Sequence, residues 1–284
     1  MKILVTGGAG FIGTNLIKRL VAEGHDVISY DNYSTGSLDN HQPGARYQGG
    51  ILDNSLPILV AEQEFDLCYH LAALARIQPS FVYTTAYFNS NVVFTQEILQ
   101  LSVEHDFKVI YAGSSSKYGG VHSSPYANFK WLGEQLCEMY HNMLGVDVLI
   151  ARFYNVYGPY EIMKGSQAAL IGKWRHLVET NEMIPIVGDG RQSRDFTHVD
   201  DIVDALVRMA DYDGDCMDFD LGRGQSYMIN EVFDMFQQRY DHLISYYIDD
   251  QPGNYSFCKA DYQKAQYELK WTPTRNLPDY IASL

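Results

Sequence analysis

The chain has 284 residues, of which 46% are hydrophobic, so it can bury the core of one large domain or two modest ones. Its 35 acidic residues outnumber its 21 basic ones, and a net charge of −14 argues against nucleic acids and anionic membranes as partners. No apolar run approaches the roughly 20 residues of a membrane span, and the four scattered cysteines, at positions 68, 137, 216 and 258, indicate reduced thiols in a cytoplasmic protein without a metal.

The start of the chain has the pattern of a strand, a glycine turn and a helix. Residues 3–5 form a short apolar run that is typical of a buried parallel strand. Gly7, Gly10 and Gly13 follow at a spacing of three and lead into a helix that ends near Gly24. Because glycines allow a tight turn and a helix N-terminus attracts anions, this pattern predicts a site for the pyrophosphate of a dinucleotide.

The second predicted strand, residues 27–30, leads directly into Asp31. An acid at this place is expected to hydrogen-bond the ribose of an adenosine. The polar segment that follows, residues 32–36, contains no basic residue that could bind a 2′-phosphate. The sequence therefore favours NAD over NADP as the cofactor.

Strands and helices continue to alternate along the chain. Strands are predicted at residues 46–52, 66–70, 108–112, 147–151 and 219–222, and helices at residues 56–63, 89–105, 126–144, 171–180, 199–209 and 229–239. The alternation predicts an α/β fold with a Rossmann-type doubly wound parallel sheet and a smaller C-terminal α/β substrate lobe. We expect residues 1–156 plus 191–212 to form the NAD-binding domain, and residues 157–190 plus 213–284 to form the substrate-binding lobe.

A cluster of serines after the fifth predicted strand, together with a tyrosine and a lysine, is a candidate for catalysis. Residues 114–116 follow that strand, at the edge where open parallel sheets bind ligands. Tyr126 and Lys130 lie four residues apart on one face of the next helix. An ammonium near a phenol is expected to lower the tyrosine pKa from about 10, so that the phenolate can take a proton from an alcohol. This chemistry accompanies hydride transfer from a carbinol to a nicotinamide.

A series of motifs runs along nearly the whole chain in a fixed order. They are residues 6–13 (TGGAGFIG), 31–32 (DN), 70–73 (HLAA), 91–92 (NV), 114–119 (SSSKYG), 126–130 (YANFK), 152–159 (RFYNVYGP) and 188–196 (GDGRQSRDF). This series resembles the extended short-chain dehydrogenases/reductases, the family of nucleotide-sugar epimerases and dehydratases that includes UDP-glucose 4-epimerase-like enzymes. The resemblance implies a homodimer formed through the helices at residues 89–105 and 126–144.

The same resemblance implies roles for individual residues. The catalytic set is Ser114, Tyr126 and Lys130. The residues that would contact NAD are Gly7, Gly10, Phe11, Ile12, Gly13, Asp31, Asn32, Ile51, Leu71, Ala72, Ala73, Asn91, Tyr126, Lys130 and Phe153. The residues that would contact the substrate are Ser114, Ser115, Asn155, Lys164 and Arg194.

The chain also departs from the family pattern. Ser115 and Ser116 stand where 4,6-dehydratases carry an acid pair, and decarboxylating relatives carry Glu at the position of Ser116, so neither reaction is expected. The segment between residues 119 and 126 is short, which requires a differently built pocket rim. Gln251 and Asn254 replace two charges of the family's phosphate grip, which leaves the nucleotide open.

The expected activity is NAD-dependent epimerisation at C4 of a nucleotide-diphosphate sugar, with a UDP-hexose as the favoured substrate. One alternative is 3,5-epimerisation, because Lys164 aligns with an acid/base of GDP-mannose 3,5-epimerases, although their partner cysteine is Ser116 in this chain. Reduction of a keto-sugar and a non-catalytic NAD-binding sensor are further alternatives. Retention of the whole set of Ser114, Tyr126 and Lys130 argues against the sensor.

Overall fold

The apolar runs of the chain become the strands of a largely parallel structure. This computed structural model describes residues 1–49, 55–215 and 217–284. The strands are β1 (Lys2–Thr6), β2 (Asp26–Tyr30), β3 (Arg46–Gln48), β4 (Leu67–His70), β5 (Lys108–Ser114), β6 (Val148–Phe153), β7 (Val156–Tyr157), β8 (Ile184–Val187), β9 (Ser193–Asp195), β10 (Thr197–His198), β11 (Asp218–Leu221), β12 (Ser226–Met228) and β13 (Ser245–Ile248).

Helices connect these strands in most places. They are α1 (Phe11–Ala22), α2 (Leu56–Gln63), α3 (Ile77–Val82), α4 (Thr84–Phe88), α5 (Phe94–His105), α6 (Pro125–Leu144), α7 (Leu170–Glu179), α8 (Val199–Ala210), α9 (Ile229–Arg239), α10 (Gln263–Glu268) and α11 (Leu277–Ser283). A π-helix at Asn89–Val93 leads into α5, and a 3-10 helix at Ser115–Gly119 follows β5. Ser124 caps α6 by accepting a hydrogen bond from the amide of Ala127 at 3.1 Å, and Pro125 is its first residue, so the helix begins one residue before Tyr126.

Seven of the strands form one parallel sheet in the order β11-β6-β5-β4-β1-β2-β3. Ile3 and Val5 of β1 pack into a core shared with α1 and α8, whereas Leu4 packs into the opposite core with α2, α5 and α6. Both faces of β1 are therefore apolar and buried, as a doubly wound sheet requires. The strand order reverses between β1 and β4, which is where ligands bind in such sheets. The predicted Rossmann-type α/β fold is confirmed.

A third core lies outside the sheet. Trp174 of α7 packs its ring edge against Phe233 and Phe236 of α9, and Ile281 of α11 joins the same cluster. The parallel pair β8 and β13 contributes Ile184 and other apolar side chains. This cluster gives the second half of the chain an apolar centre of its own.

One predicted element lies elsewhere than expected. The domain division predicted from the sequence places the strand at residues 219–222 in the smaller lobe, but β11 pairs with β6 at the edge of the main sheet. Phe219 and Leu221 bury their side chains in the core of that sheet, and Asp218 forms an ion pair with Arg152 of β6. Trp271 also joins this core and donates a hydrogen bond to the Asp201 carbonyl at 2.9 Å. The division into two domains stays a prediction, but parts of residues 213–284 pack on the larger sheet.

Other boundaries differ by a few residues. The strand predicted at residues 46–52 is seen at Arg46–Gln48, and residues 50–54, with the predicted NAD contact Ile51, lie outside the described residues. Cys68, Cys137 and Cys258 are buried free thiols, while Cys216 lies outside the described part. Within the described ranges, no helix is long and apolar enough to cross a membrane, and no group of three or more His, Cys, Asp or Glu side chains could hold a metal ion.

Candidate active site

A cavity of about 1460 Å³ opens at the carboxyl ends of the sheet strands. Pockets for one drug-sized ligand measure roughly 300–1,000 Å³, so this cavity has room for more than one ligand. Seventeen of the predicted site residues line it: Gly7, Gly10, Phe11, Ile12, Gly13, Asp31, Asn32, Leu71, Ala72, Ala73, Ser114, Ser115, Tyr126, Lys130, Phe153, Asn155 and Arg194. The fold thus brings the predicted cofactor and substrate residues to one cavity.

The glycine turn after β1 forms a close-packed cradle at one end of the cavity. Gly7 adopts φ +72°, and a Cβ there would lie 2.8 Å from the amide nitrogen of Ala72. A Cβ on Gly13 would clash with the Gly7 carbonyl oxygen and lie 2.7 Å from the Cα of Gly8. No side chain caps the N-terminus of α1 at Gly10. This bare helix end, lined by small residues, fits the pyrophosphate of NAD.

Asp31 lies at the carboxyl end of β2, beside the glycine cradle. Its two carboxylate oxygens accept hydrogen bonds from the amides of Ala9 at 2.9 Å and Tyr33 at 2.7 Å. Burial raises the pKa of Asp31, while these two hydrogen bonds act in the opposite direction. The side chain is therefore held in one orientation at the cavity wall. The neighbouring residues that line the wall, Asn32 among them, are uncharged, which suits a ribose with a free 2′-hydroxyl.

Asn91 is predicted to contact NAD but does not line the cavity. It is almost completely buried, and its amide oxygen accepts from the amide of Leu74 at 2.9 Å. Its amide nitrogen donates to the Leu74 carbonyl, also at 2.9 Å. Asn91 thus holds the segment after β4 that carries Ala72 and Ala73, and it acts on the cavity through that backbone.

Ser114, Tyr126 and Lys130 come together on the cavity wall. The hydroxyl of Tyr126 donates to Ser114 Oγ at 3.2 Å, and Ser114 Oγ in turn donates to Ser116 Oγ at 2.9 Å. Lys130 lies one helical turn after Tyr126 and is buried, with its Nζ 4.2 Å from the centre of the Tyr111 ring. The serine and tyrosine hydroxyls thus lie next to each other on the cavity wall, and their catalytic roles stay a prediction.

The pKa of Tyr126 differs in direction from the sequence-based expectation. Burial raises it, and this effect outweighs the hydrogen bond to Ser114 and the positive charge of Arg76, which both lower it. Burial also lowers the pKa of Lys130 to about 8. The expected lowering of the tyrosine pKa by Lys130 is therefore wrong for the protein by itself, because spacing along a helix does not reveal how deeply both groups are buried.

Arg194 of β9 also lines the cavity. Its guanidinium stacks on the ring of Tyr255, with Cζ 4.0 Å from the ring centre, and donates to Asn254 Oδ1 at 2.6 Å. Asn155 also lines this region and donates to the Asp195 carbonyl at 2.8 Å. Arg194 is thus held in place by neutral partners, which leaves its positive charge available to an anion.

The short segment after residue 119 changes how the rim of the cavity is built. A Cβ on Gly119 would lie 2.6 Å from the ring of Tyr255, so only glycine allows Tyr255 to pack there. Gln78 donates to the Pro252 carbonyl at 2.8 Å and ties the segment before Tyr255 to α3. Residues 251–255 therefore close the side of the cavity that the short loop leaves open.

Arg76, Lys173 and Tyr255 line the cavity although the sequence does not predict them, and the predicted residues Asn91 and Lys164 do not line it. Arg76 could have been noticed, because it follows the HLAA motif at the carboxyl end of β4, whereas Lys173 and Tyr255 carry no local signal. Lys164 is exposed and does not line the cavity, so the structure does not bring it to the other predicted substrate residues.

Known proteins are similar to this chain over most of its length. Residues 3–222 match the model of the NAD-dependent epimerase/dehydratase family. A relative from Methanocaldococcus jannaschii, described as a putative UDP-glucose 4-epimerase, is 30% identical over 98% of this chain and 95% of its own length. The matches confirm the predicted family and NAD as the cofactor.

Solved structures show the same architecture. A UDP-glucose 4-epimerase from Thermotoga maritima, solved with UDP-glucose, superposes with a TM-score of 0.93 at 27% identity, covering 99% of this chain and 96% of the other. A UDP-glucuronic acid 4-epimerase from Bacillus cereus, solved with UDP-glucuronic acid and NAD, gives a TM-score of 0.91 at 26% identity with the same coverage. Other similar proteins are described as decarboxylases of UDP-sugar acids.

Proposed function

Because this chain belongs to the NAD-dependent epimerase/dehydratase family, we propose that it epimerises a UDP-hexose at C4 through a transient 4-keto sugar. The observation that carries this proposal is the 3.2 Å hydrogen bond between the Tyr126 hydroxyl and Ser114 Oγ, on the wall of the cavity that also contains the glycine cradle. A base for the C4 hydroxyl and a site for the cofactor therefore share one cavity. The similar structures that contain UDP-sugars support uridine as the nucleotide.

The residues act as follows in this proposal. Gly7, Gly10 and Gly13 approach the pyrophosphate, and Asp31 accepts a hydrogen bond from the ribose. NAD, when bound, supplies the site that takes the hydride from C4 of the sugar and returns it to the opposite face. Tyr126, as the phenolate, takes the proton of the C4 hydroxyl and gives it back to the oxygen of the epimeric alcohol.

Lys130 and Ser114 support Tyr126 in this reaction. Ser114 Oγ already bonds the tyrosine hydroxyl, and we propose that it also bonds the reacting oxygen of the sugar. We propose that Lys130, on the same helix face, holds the ribose of NAD. The raised pKa of Tyr126 in the protein by itself means that the phenolate requires positive charge from bound groups as well as from Arg76.

The substrate end of the cavity is assigned to Arg194, Asn155 and Ser115. Arg194 is proposed to hold the diphosphate, since its guanidinium is stacked on Tyr255 and faces no carboxylate within 4.0 Å among the described residues. Lys173 of α7 lines the same cavity and adds a second positive charge. These two residues replace the charges that Gln251 and Asn254 lack.

The structure favours C4 epimerisation over 3,5-epimerisation. Exchange of protons at C3 and C5 requires a separate acid/base pair in addition to the group that acts at C4. The two residues that would form this pair are Lys164, which is exposed and off the cavity, and Ser116, which accepts a hydrogen bond from Ser114 at 2.9 Å. Lys164 is therefore not placed to act on the sugar, and Ser116, although it lines the cavity, carries a hydroxyl that is a weak base. Reduction of a keto-sugar would use the same residues but would consume NADH.

The Lys164→Ala variant tests this choice. Under C4 epimerisation we expect its kcat with UDP-glucose to stay within about tenfold of the wild-type value, because the side chain makes no contact in the transition state. Loss of a general acid/base would lower the rate by about 10²–10⁴. Lys173→Ala is the matched control, since this lysine lines the cavity, and it should raise KM. A fall of more than a hundredfold in kcat for Lys164→Ala would favour 3,5-epimerisation.

We also propose that the chain forms a homodimer through α5 and α6 and the short helices before α5. Large apolar side chains on these helices are exposed, including Phe88 at 41%, Val103 at 41% and Met143 at 77%. Exposed apolar groups on helices that pack together are typical of an interface between subunits.

A further inference from the structure

Arg76 is a cation on the cavity wall that has only neutral partners. It follows β4 and occupies the N-cap position of α3. Its Nε donates to the Gln167 carbonyl at 2.8 Å, and its Nη1 donates to the Ala75 carbonyl at 2.7 Å. These two carbonyls fix the plane of the guanidinium. Its Nη2 and the second N–H of Nη1 have no hydrogen-bond acceptor among the described residues.

The charge of Arg76 is not balanced by a nearby acid. Across residues 1–49, 55–215 and 217–284, no carboxylate lies within 4.0 Å of its guanidinium nitrogens. The negative charge of Glu161 interacts with Arg76 from a longer distance, but the Glu161 carboxylate accepts a 3.0 Å hydrogen bond from Arg175. Removing a guanidinium from water without an anionic partner is costly, so this arrangement is suited to an anion that enters with a ligand.

The position of Arg76 indicates which part of a ligand it would meet. The positive charge of Arg76 interacts with the hydroxyl groups of Tyr126 and Tyr87. Arg194 instead contacts Tyr255 and Asn254 at the proposed substrate end. Under the proposed function, C4 of the sugar lies at Tyr126 and the diphosphate lies at Arg194. Arg76 would then face the carbons beside C4 and not the diphosphate.

We propose that Arg76 forms a subsite for a carboxylate on the sugar, so that the preferred substrate is a nucleotide-activated uronic acid. A hexopyranose carries its C6 group on C5, next to the reacting C4, and oxidation of C6 to a carboxylate supplies the missing anion. The two unused N–H groups of Nη1 and Nη2 match the two oxygens of a carboxylate, which is the bidentate geometry that arginine favours. This inference rests on the proposed epimerase function and specifies its substrate.

The test compares UDP-glucuronate with UDP-glucose, which differ only at C6. Affinity is measured by calorimetry with NAD bound, since the charge of Arg76 also acts on the pKa of Tyr126 and its loss should lower kcat for both sugars. We expect the wild type to bind UDP-glucuronate at least tenfold more tightly than UDP-glucose. Arg76→Gln should weaken UDP-glucuronate by about 10–100-fold and UDP-glucose by less than threefold, because a charge-assisted bidentate pair is lost for one ligand only. Arg76→Lys should recover part of the loss.

Two control variants separate the subsite from general effects of charge. Arg175, the other arginine near Glu161, does not line the cavity. Arg175→Gln should therefore leave the ratio of the two affinities unchanged. Arg194→Gln should weaken both sugars by the same factor. An unchanged ratio in Arg76→Gln, or an equal loss for both sugars, would overturn the carboxylate subsite while leaving the epimerase proposal intact. Binding of neither UDP-sugar by the NAD-loaded wild type would instead reject the proposed function and this inference with it.

Discussion

Replacement of Tyr126 by Phe is expected to lower kcat by about 10²–10⁴, because the variant loses the group that exchanges the proton of the C4 hydroxyl. The loss should appear in kcat and in kcat/KM alike, since the phenolate acts in the transition state and contributes little to ground-state binding. NAD affinity should stay close to the wild-type value. Conversion of UDP-sugar, followed by NMR under saturating substrate, measures the effect.

Tyr87→Phe is the matched control for this variant. Tyr87 is buried beside Tyr126, with the ring centres 6.5 Å apart, and it does not line the cavity. The Tyr87 hydroxyl accepts a hydrogen bond from Gln167 at 3.3 Å. Removal of this hydroxyl should cost about 1 kcal/mol of stability and leave kcat within about threefold. If Tyr126→Phe kept more than a tenth of the wild-type kcat, Tyr126 would not be the base.

A methyl group on Gly13 is expected to destroy the dinucleotide cradle. A Cβ at this position would meet backbone atoms of Gly7 and Gly8, and backbone cannot rotate away as a long side chain can. Gly13→Ala should therefore destabilise the fold by about 1–3 kcal/mol, as overpacking does. It should also weaken NAD binding by at least tenfold, because α1 must move away from the turn. Chemical denaturation and calorimetric titration with NAD measure the two effects separately.

Gly24→Ala provides the comparison at the other end of α1. Gly24 has φ +85°, and a Cβ there would meet nothing within 4 Å. The substitution should cost about 1 kcal/mol for the left-handed conformation and leave NAD affinity unchanged. Equal NAD affinities for Gly13→Ala and the wild type would show that the cradle does not hold the pyrophosphate.

The parts of the site that could be predicted are those whose signal is local in the chain. The glycine spacing, Asp31 after the second strand, and the i, i+4 pair of Tyr126 and Lys130 each belong to one strand–turn–helix unit. In a parallel sheet, the ends of such units meet at one edge, so local patterns are enough to bring them together. The cavity contains all of these residues.

The parts that could not be predicted depend on packing between distant segments. Tyr255 reaches the cavity because Gly119, more than a hundred residues earlier, leaves space for its ring. β11 joins the main sheet through its pairing with β6, although its four residues alternate between acidic and apolar and do not form the apolar run of a central parallel strand. The pKa of Tyr126 follows from burial, which helical spacing does not report. The periodicity of a sequence predicts single helices and strands, whereas these three features depend on which other segments pack against them.

The proposal that the enzyme epimerises C4 is tested most directly by asking whether hydrogen from the solvent becomes bound to carbon in the product. In C4 epimerisation, the C4–H bond is broken and remade with the same hydrogen, and the hydroxyl proton handled by Tyr126 never becomes bound to carbon. UDP-sugar converted in D₂O should therefore give a product that is inverted at C4 and carries no carbon-bound deuterium by proton NMR and mass spectrometry. Deuterium at C3 or C5 of the product would contradict the claim and would require a second acid/base pair at the sugar.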